Sequence, residues 1–546
     1  MLLQFDSGFI MLVSWGKTED RTNTESRLKL ELKTTRATTI QSGFRVLLVQ
    51  VTVMLLKYLY KACLMPIIIQ RTMRSQGIKG PSYRFLHGNT IEISDMRKQS
   101  MGRPMDGFSH EIFPRIMPHV HSWVNLFGQN YLNWYGPQAQ LVVTDAELIK
   151  EIMNNKDGVY PKIELEGHAK KLLGEGLSST NNGHKWTKLR KLANGVFHGE
   201  SLKSMTPTMI TSTEAMLQKW KDHDGKELEV FQEFRVLTSD VISKTAFGSS
   251  YLEGKKIFDM LMKLTLNVAR NTHKIQLPVI SDLIKSDDDI ESEKLEQGIK
   301  DCILEIIRKR DEEARIDMSI NDYLGELLVA SRDEDKLKRI SMDDVVDECK
   351  TFYFAGHETT ASLLGWTVFL LATHPEWQEK ARKEVLELLG STNPNHDSIT
   401  RLNTINMIIN ESLRLYPPVP ALKRKVKTKV RLGDMTLPPN MELYICPIAV
   451  QHDPKIWGAD VHLFKPDRFE GGIAKATNNT QAAFMPFGFG PRTCVGLNFA
   501  LVEAKIALAM ILQRFRFKLS PNYVHSPVQV FMIRPQHGVQ IILDAL

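Results

Sequence analysis

The chain has 546 residues, 42% hydrophobic and 24% charged, with a formal net charge of +7. This ordinary globular composition excludes a disordered or wholly membrane-embedded chain. With no Lys/Arg run interleaved with aromatics, the mild positive charge excludes a nucleic-acid-binding protein.

Five cysteines, Cys63, Cys302, Cys349, Cys446 and Cys494, lie far apart with no Cys-x-x-Cys pair. Neither a disulfide framework nor a zinc site is expected, and a reducing compartment is the simpler setting. Residues 1–43 are polar and mixed in charge after a short apolar opening, and are expected to be an N-terminal extension of uncertain role. Residues 44–69 are apolar but interrupted by Gln50, Lys57 and Lys61. One central lysine costs about 2.5 to 3.5 kcal/mol on insertion scales, less near an end where it snorkels. The segment is therefore predicted to be a membrane anchor, the alternative being an amphipathic helix lying in the interface. Residues 70–81 carry Arg71, Arg74, Lys79 and the turn-forming Gly77-Ile-Lys-Gly-Pro81. They are predicted to be a basic hinge that holds the next domain on the cytoplasmic side.

Residues 82–546 then read as one large domain in which helical periodicity dominates. A short strand is expected at Gln140–Thr144. Trp186 and Arg190, four apart, share a face of a helix that also carries Lys185, Lys188 and Lys191. Between residues 200 and 340 helical runs alternate with charged loops such as 285–293. Met342–Thr373 reads as one long helix, with Asp343, Asp344, Asp347 and Glu348 in its first turns, where the dipole favours acids. The hexad Ala355, Gly356, His357, Glu358, Thr359, Thr360 interrupts its apolar character. A mid-helix glycine costs about 1 kcal/mol relative to alanine, and threonines that bond back to carbonyls bend a helix. Taken alone, the hexad reads as a glycine at a helix crossing beside two tolerated threonines.

A helix over Thr404–Tyr416, ended by Pro417 and Pro418, puts Glu411 and Arg414 on one face. Arg424 lies in the basic run 423–429, and Arg468 in Phe464-Lys-Pro-Asp-Arg-Phe469. Cys494 follows Gly488, Gly490 and Pro491 and precedes Gly496, after which an amphipathic helix begins at Leu497. A helix mouth favours the thiolate through its dipole and unpaired N–H groups. A lone cysteine also reads as a small buried hydrophobe. Strand-like alternation at 517–519 and 528–543 closes the chain.

The decad Phe487-Gly-Phe-Gly-Pro-Arg-Thr-Cys-Val-Gly496 resembles the haem-ligand loop of the cytochrome P450 superfamily at Phe487, Gly490, Arg492, Cys494 and Gly496. The pair Trp186/Arg190, the hexad 355–360, the pair Glu411/Arg414 and Pro466-Asp-Arg-Phe469 precede it in the family's order. The segments 76–83, 355–360 and 486–492 are most similar to the membrane-bound plant clan that oxidises brassinosteroids, gibberellins, cytokinins and triterpenoids. The resemblance implies a mainly α fold, the P450 helical prism with small β-sheets, behind an N-terminal membrane anchor.

It also implies haem b, with Cys494 as the axial iron ligand in a loop shaped by Phe487, Gly490 and Gly496. Arg492, Trp186, Arg190 and Arg424 would bind its propionates. Ala355 and Gly356 would open an oxygen groove in which Glu358 relays protons and Thr359 holds dioxygen through its hydroxyl. Glu411, Arg414 and Arg468 would form a buried structural network. Val419, Leu422 and Val528 would line the substrate cavity, with a C-terminal turn dipping into it. His357 stands at the motif's variable position and is not expected to bind metal. The implied reaction is insertion of one oxygen atom of O2 into a C–H bond of a lipophilic small molecule. NADPH would supply electrons through a flavoprotein, NADPH-cytochrome reductase, for which Lys185, Lys188 and Lys191 would offer a docking face. The expected location is the endoplasmic reticulum membrane, with the catalytic domain facing the cytosol. The alternatives are a haem-thiolate isomerase or dehydratase acting on lipid hydroperoxides, and a non-catalytic haem-binding protein.

Overall fold

The structure, a computed structural model, describes residues 42–546 apart from 55, 106, 273–284, 315–321 and 336–337. The extension expected over 1–43 therefore lies outside the described residues except at its last two positions. The chain divides into two compact units, Met1–Met65 and Pro66–Leu546. In the first, Phe44, Val46, Leu47, Leu48 and Val49 are exposed on a helix. Among the described residues one helix, Ser42–Ser75, is long and apolar enough to cross a membrane.

The hinge expected over 70–81 is shorter and less free than the sequence indicated. Helical structure runs to Ser75, and the chain turns at Gly77 with φ of 83°. Segment 76–81 is then tied down. The Gln76 side chain accepts the Thr436 N–H at 2.6 Å, and Lys79 O accepts the Leu132 N–H at 2.9 Å. Gly80 is required there, because a Cβ would stand 1.8 Å from Leu132 O.

A four-stranded sheet follows in the order Asn130–Tyr135, Gln138–Val143, Glu442–Ile445, Leu422–Lys425. Its central pair is parallel and its outer pairs antiparallel. Leu141 stands opposite Leu443, and Leu443 opposite Arg424, so the register fixes where Leu422 and Arg424 emerge. Phe515–Leu519 and Glu227–Glu229 flank Gln540–Ala545 in a three-stranded sheet, while Pro527–Val530 and Met532–Pro535 form a separate hairpin.

Six helices position the site: α1 (Gly183–Phe197), α2 (Val230–Phe247), α3 (Tyr323–Ser331), α4 (Met342–Thr373), α5 (Asn403–Leu415) and α6 (Leu497–Arg514). The bounds of α4 match the expectation because both signals are local. Ser341 and Asp344 form a capping box at its start, and Pro375 opens the next helix just beyond its end. From Glu348 to Leu371 every residue of α4 is buried except Ala355, Gly356 and Thr359. Gly356 is also a crossing glycine, since a Cβ would meet Ile242 of α2 at 2.8 Å. The reading of the hexad as a glycine at a helix crossing therefore holds. The charged stretch 285–293 is a loop only at its start. Asp287, Asp288 and Asp289 form the first turn of the helix Asp287–Ala314, where acids complement the dipole.

Beneath the site, Glu411 and Arg414 of α5 are both fully buried. Arg414 donates from Nε and from a terminal nitrogen to the two Glu411 oxygens, each at 2.8 Å, and to Gln451 O at 3.0 Å. Arg468 Nε lies 3.4 Å from Glu411 Oε1, its guanidinium donates to Trp457 O at 2.8 Å, and it pairs with Asp460 at 2.7 Å. The Lys465 N–H fills the remaining approach to Glu411 at 3.0 Å. Such a network holds when every member is satisfied and fails when one is removed. Glu411→Ala leaves the fully buried Arg414 guanidinium without its carboxylate and is expected to destabilise the fold by about 3 to 5 kcal/mol, read by thermal unfolding.

Candidate functional site

A cavity of about 350 Å³ lies against α1, α4 and α6 and the edge strand Leu422–Lys425. Its α4 wall is made of Ala355, Gly356, Thr359, Thr360 and Leu363. Cys494 lines it with its surface exposed to the cavity rather than packed away, which sets aside the reading of a small buried hydrophobe. The loop that carries Cys494 is held by backbone bonds, Cys494 N–H to Phe487 O at 2.9 Å and Thr493 N–H to Gly490 O at 3.0 Å. Gly490 has φ of 74°, and a Cβ there would stand 2.4 Å from Met153 O, so no other residue fits. Gly496 differs. A Cβ would lie at ordinary contact, 3.9 Å from Cys494 Sγ, and its φ of −88° demands no glycine. Its contribution is the backbone N–H it directs at the sulfur.

The thiolate expected from the helix mouth does not follow from local electrostatics. Burial pushes the Cys494 thiol up, and the Gly496 N–H, Arg190 and Lys162 pull it down without prevailing. A coordinating thiol, by contrast, is deprotonated outright. Among the described residues no group of three or more His, Cys, Asp or Glu side chains is placed to hold a metal ion. A single soft ligand facing a cavity suits an iron that arrives in its own macrocycle.

The cations around the cavity extend that fit. Arg190, Arg424 and Arg492 line it together with Lys162, a residue that no motif or spacing marks. Arg492 stacks on Trp186 at 4.3 Å and donates to Thr180 O at 3.1 Å. Arg190 donates to Thr493 O at 2.5 Å and to the Asn194 side chain at 3.0 Å, Arg424 to Lys423 O at 2.9 Å, and Lys162 to Ser178 O. None of these partners is an acid, and no carboxylate stands among the lining residues. Burial lowers Lys162 to about 7, with Arg424 and Arg492 adding to the effect, and burial lowers Arg424 and Arg492 to about 10. Four cations without a counter-charge call for an anionic ligand, and the two propionates of haem answer that requirement.

Thr359 donates its hydroxyl to Ala355 O at 2.6 Å, one turn back, within a helix that runs unbroken through the hexad. Glu358 is not a lining residue. Its Oε1 accepts two hydrogen bonds from Arg235 of α2, at 3.0 and 3.2 Å. Burial alone would raise its carboxyl, yet His357, Arg235 and Arg534 together hold it below the usual range. His357 packs at 4.9 Å on Phe258, and burial lowers it to about 4. Val419 and Leu422 line the cavity as expected from sequence, but Val528 does not. The tip of its hairpin, Phe531 at φ of 65°, instead packs edge-on against Phe354 at 5.4 Å. Glu503 of α6 was not anticipated. It is buried facing Thr360 without a well-formed hydrogen bond, and burial raises its carboxyl well above the usual range.

The family model for cytochrome P450 matches residues 114–541. A Panax ginseng protein named cytochrome P450 CYP749A22 is 58% identical over 485 residues, 88% of this chain and 92% of the relative. Cytochrome P450 734A1 of Arabidopsis thaliana is 40% identical over 491 residues, 88% and 92% of the two chains. Secologanin synthase 1 of Catharanthus roseus is 39% identical over 492 residues, 88% and 93% of the two chains.

If the lining cations hold a dianion, deleting the least anticipated of them weakens its retention. A charge-assisted hydrogen bond contributes about 1.5 kcal/mol or more, so Lys162→Leu is expected to release haem to excess apomyoglobin about tenfold faster than the unaltered protein.

Proposed function

The chain belongs to the cytochrome P450 family and is a monooxygenase, and from that premise we propose that it hydroxylates a lipophilic plant small molecule of terpenoid, steroid or hormone-like class. The observation that carries this reading is one cavity shared by Cys494 and Thr359, in which Val419, Leu422, Leu363 and Phe352 supply apolar wall away from the four cations. Such walls bind hydrocarbon skeletons through burial rather than through polar recognition. A relative is named a secologanin synthase, which agrees with a specialised plant metabolite as substrate. The overall reaction balances as R–H + O2 + two electrons + two protons giving R–OH + H2O. The isomerase or dehydratase alternative is less favoured, because the acid and alcohol at Glu358 and Thr359 are both present.

Haem bound at Cys494 would supply the reductive activation of dioxygen. The side chains would do the rest. Arg190, Arg424, Arg492 and Trp186 would anchor the propionates, Phe487 would shield the sulfur, Ala355 and Gly356 would leave room for the macrocycle and dioxygen, and Gly490 would let the Cys494 loop fold against Met153. Thr359 would turn its hydroxyl from Ala355 O into the cavity to hold dioxygen and pass it a proton. Glu358 would replenish that proton, which requires its carboxylate to part from Arg235 and take up a proton from solvent. Glu411, Arg414 and Arg468 would keep the underside rigid.

We place the protein in the endoplasmic reticulum membrane, anchored by the apolar helix, with NADPH-derived electrons arriving from a flavoprotein reductase. Of the three lysines considered for reductase docking, Lys185 is engaged by Asp344 and Lys188 reaches Arg339 O at 3.4 Å. Lys191 is exposed, so the docking role falls mainly to it. General acid catalysis is worth about a hundredfold or more. Thr359→Ala is accordingly expected to keep its haem while product per NADPH falls at least about tenfold and hydrogen peroxide rises to match. Unchanged coupling contradicts the role given to Thr359.

A further inference from the structure

Away from the reacting face, α4 carries a second cluster between one and three turns earlier. Asp347 Oδ2 accepts the Glu175 N–H at 2.8 Å. Glu348 Oε1 accepts the Leu177 N–H, and Glu348 Oε2 accepts the Tyr323 hydroxyl of α3 at 2.5 Å. Thr351 Oγ1 donates to Leu173 O at 3.1 Å. Three side chains of one helix thus grip the backbone of residues 173–177 at three points. The grip is tight enough to fix the loop's composition. A Cβ on Gly174 would stand 2.2 Å from Asp347 Oδ1, and one on Gly176 would stand 2.5 Å from Thr351 Oγ1 and 2.6 Å from Glu348 Oε1.

Neither carboxylate lines the cavity, but what they hold does. Leu177, Ser178 and Thr351 are lining residues, and Ser178 O accepts the bond from Lys162. Resting on the monooxygenase reading, we propose that Asp347, Glu348 and Thr351 form a bracket that fixes the Leu177–Ser178 wall, with Glu348 the positioning residue that governs the size of ligand the cavity admits. Burying a carboxylate is costly unless its oxygens are filled. Glu348 is fully buried, and each of its oxygens is filled by a different partner. Burial still raises its carboxyl to about 7, against the pull of Tyr323, the Leu177 N–H and Lys185. An apolar side chain would pack α3 against α4 without that cost. The carboxylate adds a directional hold on a loop N–H, which an apolar group lacks.

The test uses purified holoenzyme with imidazole and 4-phenylimidazole as probes, their dissociation constants read from the haem absorption shift, together with amide exchange over 173–178. Imidazole is too small to need the wall, so its shift reports the haem site on which the monooxygenase reading rests, and its absence signals failure of that site rather than of the bracket. The ratio of the two constants reports the bracket. Losing a charge-assisted hydrogen bond corresponds to about tenfold, so Glu348→Ala should move the ratio by that order and speed exchange at Leu177. Imidazole should stay within about twofold of the unaltered protein, and Glu348→Gln, which keeps an acceptor, should restore the ratio. Tyr323→Phe removes only the phenol and should move the ratio in the same direction, which keeps the test open if Glu348→Ala does not fold. A ratio within about twofold of the unaltered protein in Glu348→Ala and Tyr323→Phe, or both probes weakening in parallel, overturns the bracket.

Discussion

Like charges brought together in a partly buried space repel, and Lys162, Arg190, Arg424 and Arg492 meet in a cavity whose lining holds no acid. That repulsion is a standing cost to the fold unless an anion is bound. The elements that carry the four cations are otherwise unrelated: a loop, helix α1, an edge strand and the Cys494 loop. The rest of the domain serves to hold them in register. The sheet pairing sets Arg424 opposite Leu443, the Asn182 side chain starts α1 by accepting the Lys185 N–H, and Gly490 lets the Cys494 loop press against Met153. A propionate-bearing macrocycle would relieve the repulsion and give Cys494 a metal at the same time. Cofactor binding and stability are thereby one problem.

The same economy governs α4. Its core-facing residues fill the molecule's centre, and its gaps in burial, Ala355, Gly356 and Thr359, open on the cavity. Gly356 both admits Ile242 of α2 and leaves the groove clear. Glu358 points the other way and is locked to Arg235, so the carboxylate proposed to relay protons is buried beside the cavity rather than in it. Relay through it would then depend on an ion pair opening.

Much of this was legible in the chain. The bounds of α4 follow from Ser341, Asp344 and Pro375, and the Glu411–Arg414 pair from helical spacing with a proline stop, because those signals are local. The cysteine loop was legible as a pattern, although the helix mouth was credited with a thiolate that burial opposes. What stayed hidden depends on distant partners. Arg235 lies 123 residues before Glu358, and Lys162 and Glu348 reach their contacts across loops with no spacing to mark them. The stretch 285–293 was read as a loop because its charges mask a helix start. Val528 was placed in the cavity by resemblance, while the hairpin turns its tip toward Phe354.

The central claim is that Cys494 is the protein's ligand to the iron, and the direct measurement is the absorption spectrum of the dithionite-reduced carbon-monoxide complex. The unaltered protein is expected to show the red-shifted Soret band of thiolate ligation, and Cys494→Ser to lose that band even where haem is still bound. Persistence of the band in Cys494→Ser contradicts the account.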